Sequence, residues 1–105
     1  MGAVPKITSI EAPEHLARIR QMRCVACNAP PPSVAHHLRM SRRGGVSKKP
    51  GDDYAVPLCH GCHSLLHAVP ELQFWLGTVE TDREALREIV CGYAKSLYAV
   101  YLEGN

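Results

Sequence analysis

Long apolar runs are missing from this 105-residue chain, and aromatic side chains make up only 6% of it. No stretch approaches the roughly 20 apolar residues that a membrane-spanning helix needs. The opening residues, MGAVPKITS, lack the apolar segment of a secretory signal peptide, and Lys6 stands where N-myristoylation favours serine or threonine. The sequence therefore predicts a soluble, cytoplasmic protein with no membrane partner, built around one modest core.

Cysteines are also few, five in all, an odd number that disulfides alone do not use up. Four of them form two Cys-x2-Cys pairs, Cys24 with Cys27 and Cys59 with Cys62. In a reducing cytosol such pairs indicate metal ligands before disulfides, and two pairs are typical of a tetrahedral zinc site. We predict a structural Zn²⁺ on these four thiolates; four ordinary buried thiols are the alternative. A closed site of this kind stabilises a fold but performs no chemistry.

The small net charge of +2 hides a separation of charge along the chain. Residues 1–51 carry a net charge of +7, whereas residues 52–105 carry −5. This asymmetry predicts a basic face for a polyanion and an acidic face turned away from it. We predict that the densest cationic stretch contacts the phosphates of DNA, with a solvated loop as the alternative. Its cationic side chains are Arg39, Arg42, Arg43, Lys48 and Lys49.

Periodicity and turn residues predict a small α+β domain. The two short strands are expected to pair as a hairpin across the basic loop, and Phe74 and Trp75 are expected in the core. The predicted elements are a helix within 11–23 opened by Pro13, strands at 33–38 and 54–59, a helix from Cys59 to Pro70, a short helix at 70–77 and a last helix from Thr81 to about Leu102.

The last helix is predicted to begin with a capping box formed by Thr81 and Glu84. Its apolar arc is unusually wide for a helix with one side in water. Either the first half of the chain covers this arc, or a second copy of the chain does so in a homodimer. The predicted apolar positions are Leu86, Ile89, Val90, Tyr93, Leu97, Val100 and Tyr101.

Histidines crowd the segment LCHGCHSLLH, residues 58–67. His63 and His67 are four residues apart, which on a helix places both imidazoles on one face, as two ligands of a single ion require. Cys62 lies about 100° around the helix from His63. Because the thiolates and the imidazoles face different directions, this helix can serve two metal sites.

His36 and His37 lie between the two cysteine pairs, on the first predicted strand. Neighbours on a strand point to opposite faces, so we do not expect both to bind the same ion. One of them as a third ligand would leave an open position for water or phosphate, which is typical of a catalytic site, and the other would be free as a general base. His15 and His60 we interpret as structural hydrogen-bonding residues.

Together these motifs resemble the HNH nucleases, the ββα-metal or His-Me finger superfamily, in the subgroup braced by a four-cysteine zinc. The motifs that carry the resemblance are CVAC, AHHL, the basic loop with RRGG, and DDYAVPLCHGCHSLLH. The likeness extends to small phage and prophage HNH proteins, including recombination-enhancement nucleases. The resemblance covers roughly residues 13–70, with the final helix outside it, and implies a hairpin and a helix around a catalytic metal.

The resemblance also implies roles for individual side chains. His36 matches a metal ligand, and His37 matches the general base that activates water. The remaining ligands match His63 and His67. An all-imidazole set favours Zn, Mn, Ni or Co as the catalytic divalent ion, with Mg as the choice if one histidine is not a ligand.

The middle asparagine of the family, which helps to orient the base, has no counterpart in this chain. Asp52 or Asp53 falls nearest, and we assign the orienting role to Asp53. The implied reaction is hydrolysis of a phosphodiester by in-line attack of water, leaving 5′-phosphate and 3′-hydroxyl ends.

We divide the chain into an N-terminal tail (1–12), a zinc-braced HNH nuclease domain (13–70) and a C-terminal helical extension packed on that domain (71–105). The predicted function is a DNA endonuclease or nickase of low sequence specificity, encoded by a phage or prophage and addressed to DNA by a recombination or other DNA-bound protein. The alternative is a non-catalytic zinc-ribbon module that binds nucleic acid or protein, which would have no use for the four histidines in register.

Overall fold

The computed structural model describes residues 10–39, 51–78 and 81–104. This part of the chain forms a small mixed α+β domain with a two-stranded sheet and four α-helices, as predicted. None of the described helices is long and apolar enough to cross a membrane. The elements, in chain order, are α1 (Pro13–Arg20), β1 (Val34–His37), β2 (Ala55–Leu58), α2 (His60–Ala68), α3 (Glu71–Leu76) and α4 (Arg83–Gly104).

The two strands pair antiparallel, with Val34 opposite Leu58 and His37 opposite Ala55, which confirms the predicted pairing. All four residues of β2 are buried, so this strand is apolar throughout rather than alternating. Pro57 is tolerated because both strands of a two-stranded sheet are edges. Its carbonyl accepts a hydrogen bond from the backbone N–H of Val25 at 2.9 Å, which brings the first cysteine pair beside β2.

Helix α4 begins one residue later than its predicted capping box implies. The carboxylate of Asp82 accepts a hydrogen bond from the Ala85 N–H at 2.8 Å, and the Asp82 carbonyl accepts the first helical bond, from Leu86. Asp82 is therefore the N-cap, and the predicted cap at Thr81 is wrong. Both residue types cap well, but an aspartate also brings negative charge to the positive end of the helix dipole.

One face of α4 packs against the first half of the chain. Leu86, Val90 and Ala94, spaced four residues apart, are buried in the common core with Phe74 and Trp75, whose burial confirms their prediction as core residues. The first half of the chain covers only part of the predicted apolar arc, because some of its members lie on an exposed flank of the helix. Those exposed members are Ile89, Tyr93 and Val100.

A polar contact fixes α4 to the short 3₁₀ turn, Asp52–Tyr54, that leads into β2. The ammonium group of Lys95 donates to the carboxylate of Asp53 at 2.8 Å and lies 5.0 Å from the centre of the Tyr54 ring. The Asp53 side chain is 7% exposed, so this partner offsets part of the cost of burying its carboxylate. Lys95 is half exposed, so the pair itself contributes only modestly to stability.

His15 on α1 is fully buried, and within the part of the chain that the structure describes neither of its ring nitrogens has a hydrogen-bond partner. Its imidazole instead packs against Tyr98 and Tyr101 of α4, with ring centroids 5.3 and 5.1 Å away. The prediction that His15 is a hydrogen-bonding residue is therefore wrong. Burial, and secondarily the charge of Arg18, lower the pKa of the His15 imidazole below its ordinary value.

We expect His15 to make the protein less stable in mild acid. An unfolded imidazole, with a pKa of about 6.5, binds protons more readily than the folded one, so the His15 contribution is complete above that pH and is lost below it. The free energy of unfolding should fall by at most about 1.4 kcal/mol per pH unit from this residue. Urea unfolding between pH 8 and pH 5 should show a shallower decline for His15→Phe than for wild type. Equal declines would contradict the assignment.

Candidate functional site

The two cysteine pairs adopt the same local structure. In the first pair, the Cys27 N–H donates to the Cys24 sulfur at 3.4 Å, and in the second the Cys62 N–H donates to the Cys59 sulfur at 3.4 Å. Cys59 also caps the N-terminus of α2 through that bond. Backbone N–H groups directed at sulfur favour the thiolate, which is the form that binds metal.

A tight turn shapes the first pair. Asn28 follows it in the left-handed conformation, with φ of 64°, a conformation that asparagine adopts more readily than most residues. The Asn28 N–H donates to the Cys24 carbonyl at 2.8 Å, and the Cys24 N–H donates to the Ala29 carbonyl at 3.0 Å. The turn thereby holds both sulfur atoms on the side that faces the second pair.

All four sulfur atoms converge. They lie within 4.8 Å of one another, and those of Cys27 and Cys59 are 3.6 Å apart. Four sulfurs around zinc at about 2.3 Å are spaced about 3.8 Å apart in a tetrahedron. The predicted ligands Cys24, Cys27, Cys59 and Cys62 thus form a cluster that can hold a metal ion, and its all-thiolate chemistry fits structural Zn²⁺.

The thiols of this cluster differ in how readily they ionise. Burial raises the pKa of Cys24, but the backbone hydrogen bonds from Cys59, Cys27 and Ala26 outweigh that effect and bring it to about 6. Burial raises the pKa of Cys62, and its hydrogen bonds with the other three thiols raise it further. The first thiol therefore loses its proton readily, whereas loss of a proton from the next thiol is disfavoured. A bound divalent cation would favour ionisation of both.

A second group of polar side chains lines a cleft of about 560 Å³ between the hairpin and α2. The structure brings four predicted histidines to this cleft, two from β1 and two from α2. Asp52 and Arg39 also line it, together with Glu11 from the segment before α1. The predicted site residues in its wall are His36, His37, Arg39, His63 and His67.

His63 and His67 lie one turn apart on α2, as their spacing predicted. Their Nε2 atoms are 3.1 Å apart, close enough for both to bind one ion. Burial lowers the pKa of His63, and the neighbouring imidazoles of His36 and His67 lower it further. The lowered pKa favours the neutral form of His63, and neutral imidazole is the form that binds a metal.

His36 lies on the opposite wall of the same cleft and is 5% exposed. Its ring centroid is 5.3 Å from that of His63 and 6.3 Å from that of His67. Within residues 10–39, 51–78 and 81–104, the four cysteines are the one group of three or more His, Cys, Asp or Glu side chains whose potential ligand atoms all lie within 4.8 Å of one another. The three imidazoles thus share a cleft but are less tightly gathered than the thiols.

His37 is bound to a carboxylate. Its Nε2 lies 2.8 Å from Oδ1 of Asp52, whose side chain is held in turn by the Ala12 N–H at 2.7 Å. The Asp52 N–H donates to the Ile10 carbonyl at 2.8 Å. This close approach requires Gly51, since a Cβ there would lie 2.6 Å from Asp53 Oδ1 and 2.9 Å from the Ile10 nitrogen.

Asp53, predicted to orient the base, does not lie beside His37. Its carboxylate points to Lys95 of α4, whereas that of Asp52 reaches the imidazole. The 3₁₀ turn directs the two neighbouring side chains in different directions, so the place expected for Asp53 belongs to Asp52. The prediction of Asp53 as the carboxylate beside His37 is therefore wrong, and Asp52, the other candidate, lies there.

Glu71 is the residue that sequence reasoning missed. Its Oε2 lies 2.9 Å from Nε2 of His36 and accepts a longer hydrogen bond, 3.3 Å, from the Arg39 N–H. The available signal was its position, four residues after His67 and directly after Pro70.

Of the predicted DNA-contacting residues, Arg39 is exposed on the cleft, while Arg42, Arg43, Lys48 and Lys49 lie outside the described residues.

We expect the purified protein to contain one zinc per chain, bound by the four thiolates. Cys62→Ser should lose that zinc and unfold, because the energy of binding a structural zinc contributes directly to folding. Cys91→Ser is the matched control, since Cys91 lies outside the cluster, and it should retain both metal and fold. Elemental analysis and circular dichroism measure both. Full zinc content in Cys62→Ser would contradict the site.

Comparison with known proteins identifies a family but no activity. Searches of curated proteins and of solved structures gave no match. A family model described as "Protein of unknown function (DUF968)" matches residues 2–75, which include both cysteine pairs, the four cleft histidines and Glu71. The chain therefore belongs to the DUF968 family of proteins of unknown function.

Proposed function

We propose that this protein is a metal-dependent DNA endonuclease or nickase of the HNH, or ββα-metal, class. One observation carries the proposal: a hairpin and the helix after it place a carboxylate-bound histidine in the same cleft as three further imidazoles. That juxtaposition of a general base with a candidate ion site is what hydrolysis of a phosphodiester requires. The resemblance of the motifs to HNH nucleases supports the same reaction.

His37 acts as the general base in this proposal. Because a carboxylate only accepts hydrogen bonds, Asp52 holds the tautomer in which Nε2 of His37 carries the hydrogen. The lone pair is then on Nδ1, which takes a proton from the attacking water. Asp52, itself held by the Ala12 N–H, prevents the imidazole from turning and stabilises the positive charge it acquires.

The candidate ion site is formed by His36, His63 and His67. The donor chemistry fits a borderline divalent ion such as Zn, Mn, Ni or Co, and the 3.1 Å separation of the His63 and His67 nitrogens fits two ligands of one ion. When bound, the ion would supply positive charge to the scissile phosphate and to the departing 3′ oxygen. His36 would have to approach the other two imidazoles for all three to share it.

The substrate in this proposal is the DNA backbone. Arg39 is exposed at the cleft, where its guanidinium can contact a phosphate next to the scissile one. Phosphate contacts position DNA without reading its sequence, so cleavage has low sequence specificity. A recombination or other DNA-bound protein would then select the site of cleavage, in keeping with the likeness to phage and prophage proteins.

A non-catalytic zinc-ribbon module that binds nucleic acid or protein is the competing proposal. It is favoured by the tight convergence of the thiols compared with the looser set of imidazoles. It gives no role to the paired side chains of His37 and Asp52. Metal stoichiometry and cleavage of DNA distinguish the two.

We expect a second divalent ion to bind at the cleft. Zinc-loaded protein titrated with Co²⁺ or Mn²⁺ in a calorimeter should bind about one further ion per chain, with neutral imidazoles as ligands. His63→Ala combined with His67→Ala should abolish this binding while the zinc on the thiolates remains. A ribbon module would show no second binding event in either protein.

We expect His37→Ala to lower the rate of plasmid nicking by about 10²–10⁴-fold, the usual contribution of a positioned base. Asp52→Asn should also lower it, because the amide does not stabilise the charged imidazole. Asp53→Asn is the matched control: it should lower the melting temperature by weakening the contact with Lys95, yet retain nicking while folded. Equal loss of nicking in both aspartate variants would contradict the assignment of Asp52.

A further inference from the structure

Two carboxylate–histidine pairs flank the end of β1, and the proposed reaction gives a role to the carboxylate of only one of them. His37 pairs with Asp52 from the turn before β2, whereas its neighbour His36 pairs with Glu71 from the start of α3. The second pair joins residues 35 positions apart in the chain. It is also the more deeply buried pair, because His36 and Glu71 side chains are 5% and 10% exposed, against 34% and 17% for His37 and Asp52.

The bond to Glu71 determines which nitrogen of His36 is available. An imidazole that donates from Nε2 to a carboxylate keeps its lone pair on Nδ1. Side chains that bind metals through one ring nitrogen usually donate the other ring N–H to a carboxylate or carbonyl, which fixes the ring and raises its basicity. His36 with Glu71 has that arrangement, with a distance of 2.9 Å between Nε2 and Oε2.

Glu71 also contacts the chain beyond β1. The oxygen that binds His36 accepts a hydrogen bond from the Arg39 N–H at 3.3 Å. One carboxylate oxygen therefore contacts both the imidazole and the first basic residue after the strand. Because Pro70 directly precedes α3, the start of this helix is set by the turn that follows α2, the helix that carries His63 and His67.

We infer that Glu71 is a positioning residue that presents Nδ1 of His36 to the ion, and that it thereby sets the affinity of the cleft for divalent metal. The inference rests on the proposed function. Glu71 is not itself a ligand in it, because its contact is with the nitrogen of His36 that would face away from the ion. In this arrangement Glu71 acts on the metal only through the imidazole.

The test compares Glu71→Ala and Glu71→Gln with wild type and with Glu88→Gln, a change at an exposed glutamate on α4. Zinc-loaded protein is titrated with Co²⁺ in a calorimeter. Glu71→Ala should weaken binding about 10- to 100-fold, the usual effect of removing such a partner. Glu71→Gln, which still accepts the imidazole N–H, should lose much less affinity, and Glu88→Gln should match wild type.

A second readout needs no added ion. Long-range ¹H–¹⁵N spectra of the imidazoles should show His36 with its hydrogen on Nε2 in wild type and in Glu71→Gln, and as a mixture of tautomers in Glu71→Ala. Unchanged Co²⁺ affinity and an unchanged His36 tautomer in Glu71→Ala would overturn the inference and leave the proposed function standing. Equal loss of affinity in both Glu71 variants would overturn it in favour of Glu71 as a direct ligand. Absence of a second ion from wild type would overturn the proposed function and this inference together.

Discussion

The convergence of four sulfur atoms is the constraint on which the rest of this small domain depends. The two cysteine pairs enclose the segment that contains both strands, so closing the cluster fixes the ends of the hairpin. Cys59 belongs to the cluster, directly follows β2 and caps α2. The direction in which α2 leaves the sheet, and with it the position of His63 and His67, follows from that junction. A chain with 6% aromatic residues and one modest core would gain much stability from a metal ion bound by this cluster.

Local patterns in the sequence predicted those parts of the site that depend on spacing along one element. The two Cys-x2-Cys pairs and the four-residue interval between His63 and His67 have the same geometry in almost any fold, and the structure shows both as expected. The pairing of the strands followed similarly from two short strand-forming segments on either side of the basic, glycine-containing loop. In each of these cases, short-range geometry leaves few alternatives.

Predictions were wrong where two neighbouring residues can fill the same role, or where a contact is made through the tertiary fold. Threonine and aspartate are both common helix caps, but Asp82 rather than Thr81 caps α4. Asp52 and Asp53 are adjacent on the 3₁₀ turn, but only Asp52 reaches the histidine in the cleft. Glu71 could not be predicted as a partner of His36, because that contact joins the start of α3 to β1 through the tertiary fold. Which flank of α4 is buried likewise depends on the core residues that pack against the helix, and the periodicity of its own sequence does not specify it.

The short segment before α1 is hydrogen-bonded on both sides to the residue that holds the imidazole of His37. The carbonyl of Ile10 and the N–H of Ala12 both contact Asp52, and Glu11 between them lines the cleft. This segment is therefore one wall of the cavity rather than a passive leader to the first helix. The described part of the chain therefore begins, at Ile10, in the lining of the cleft, whereas it ends at residue 104 with α4.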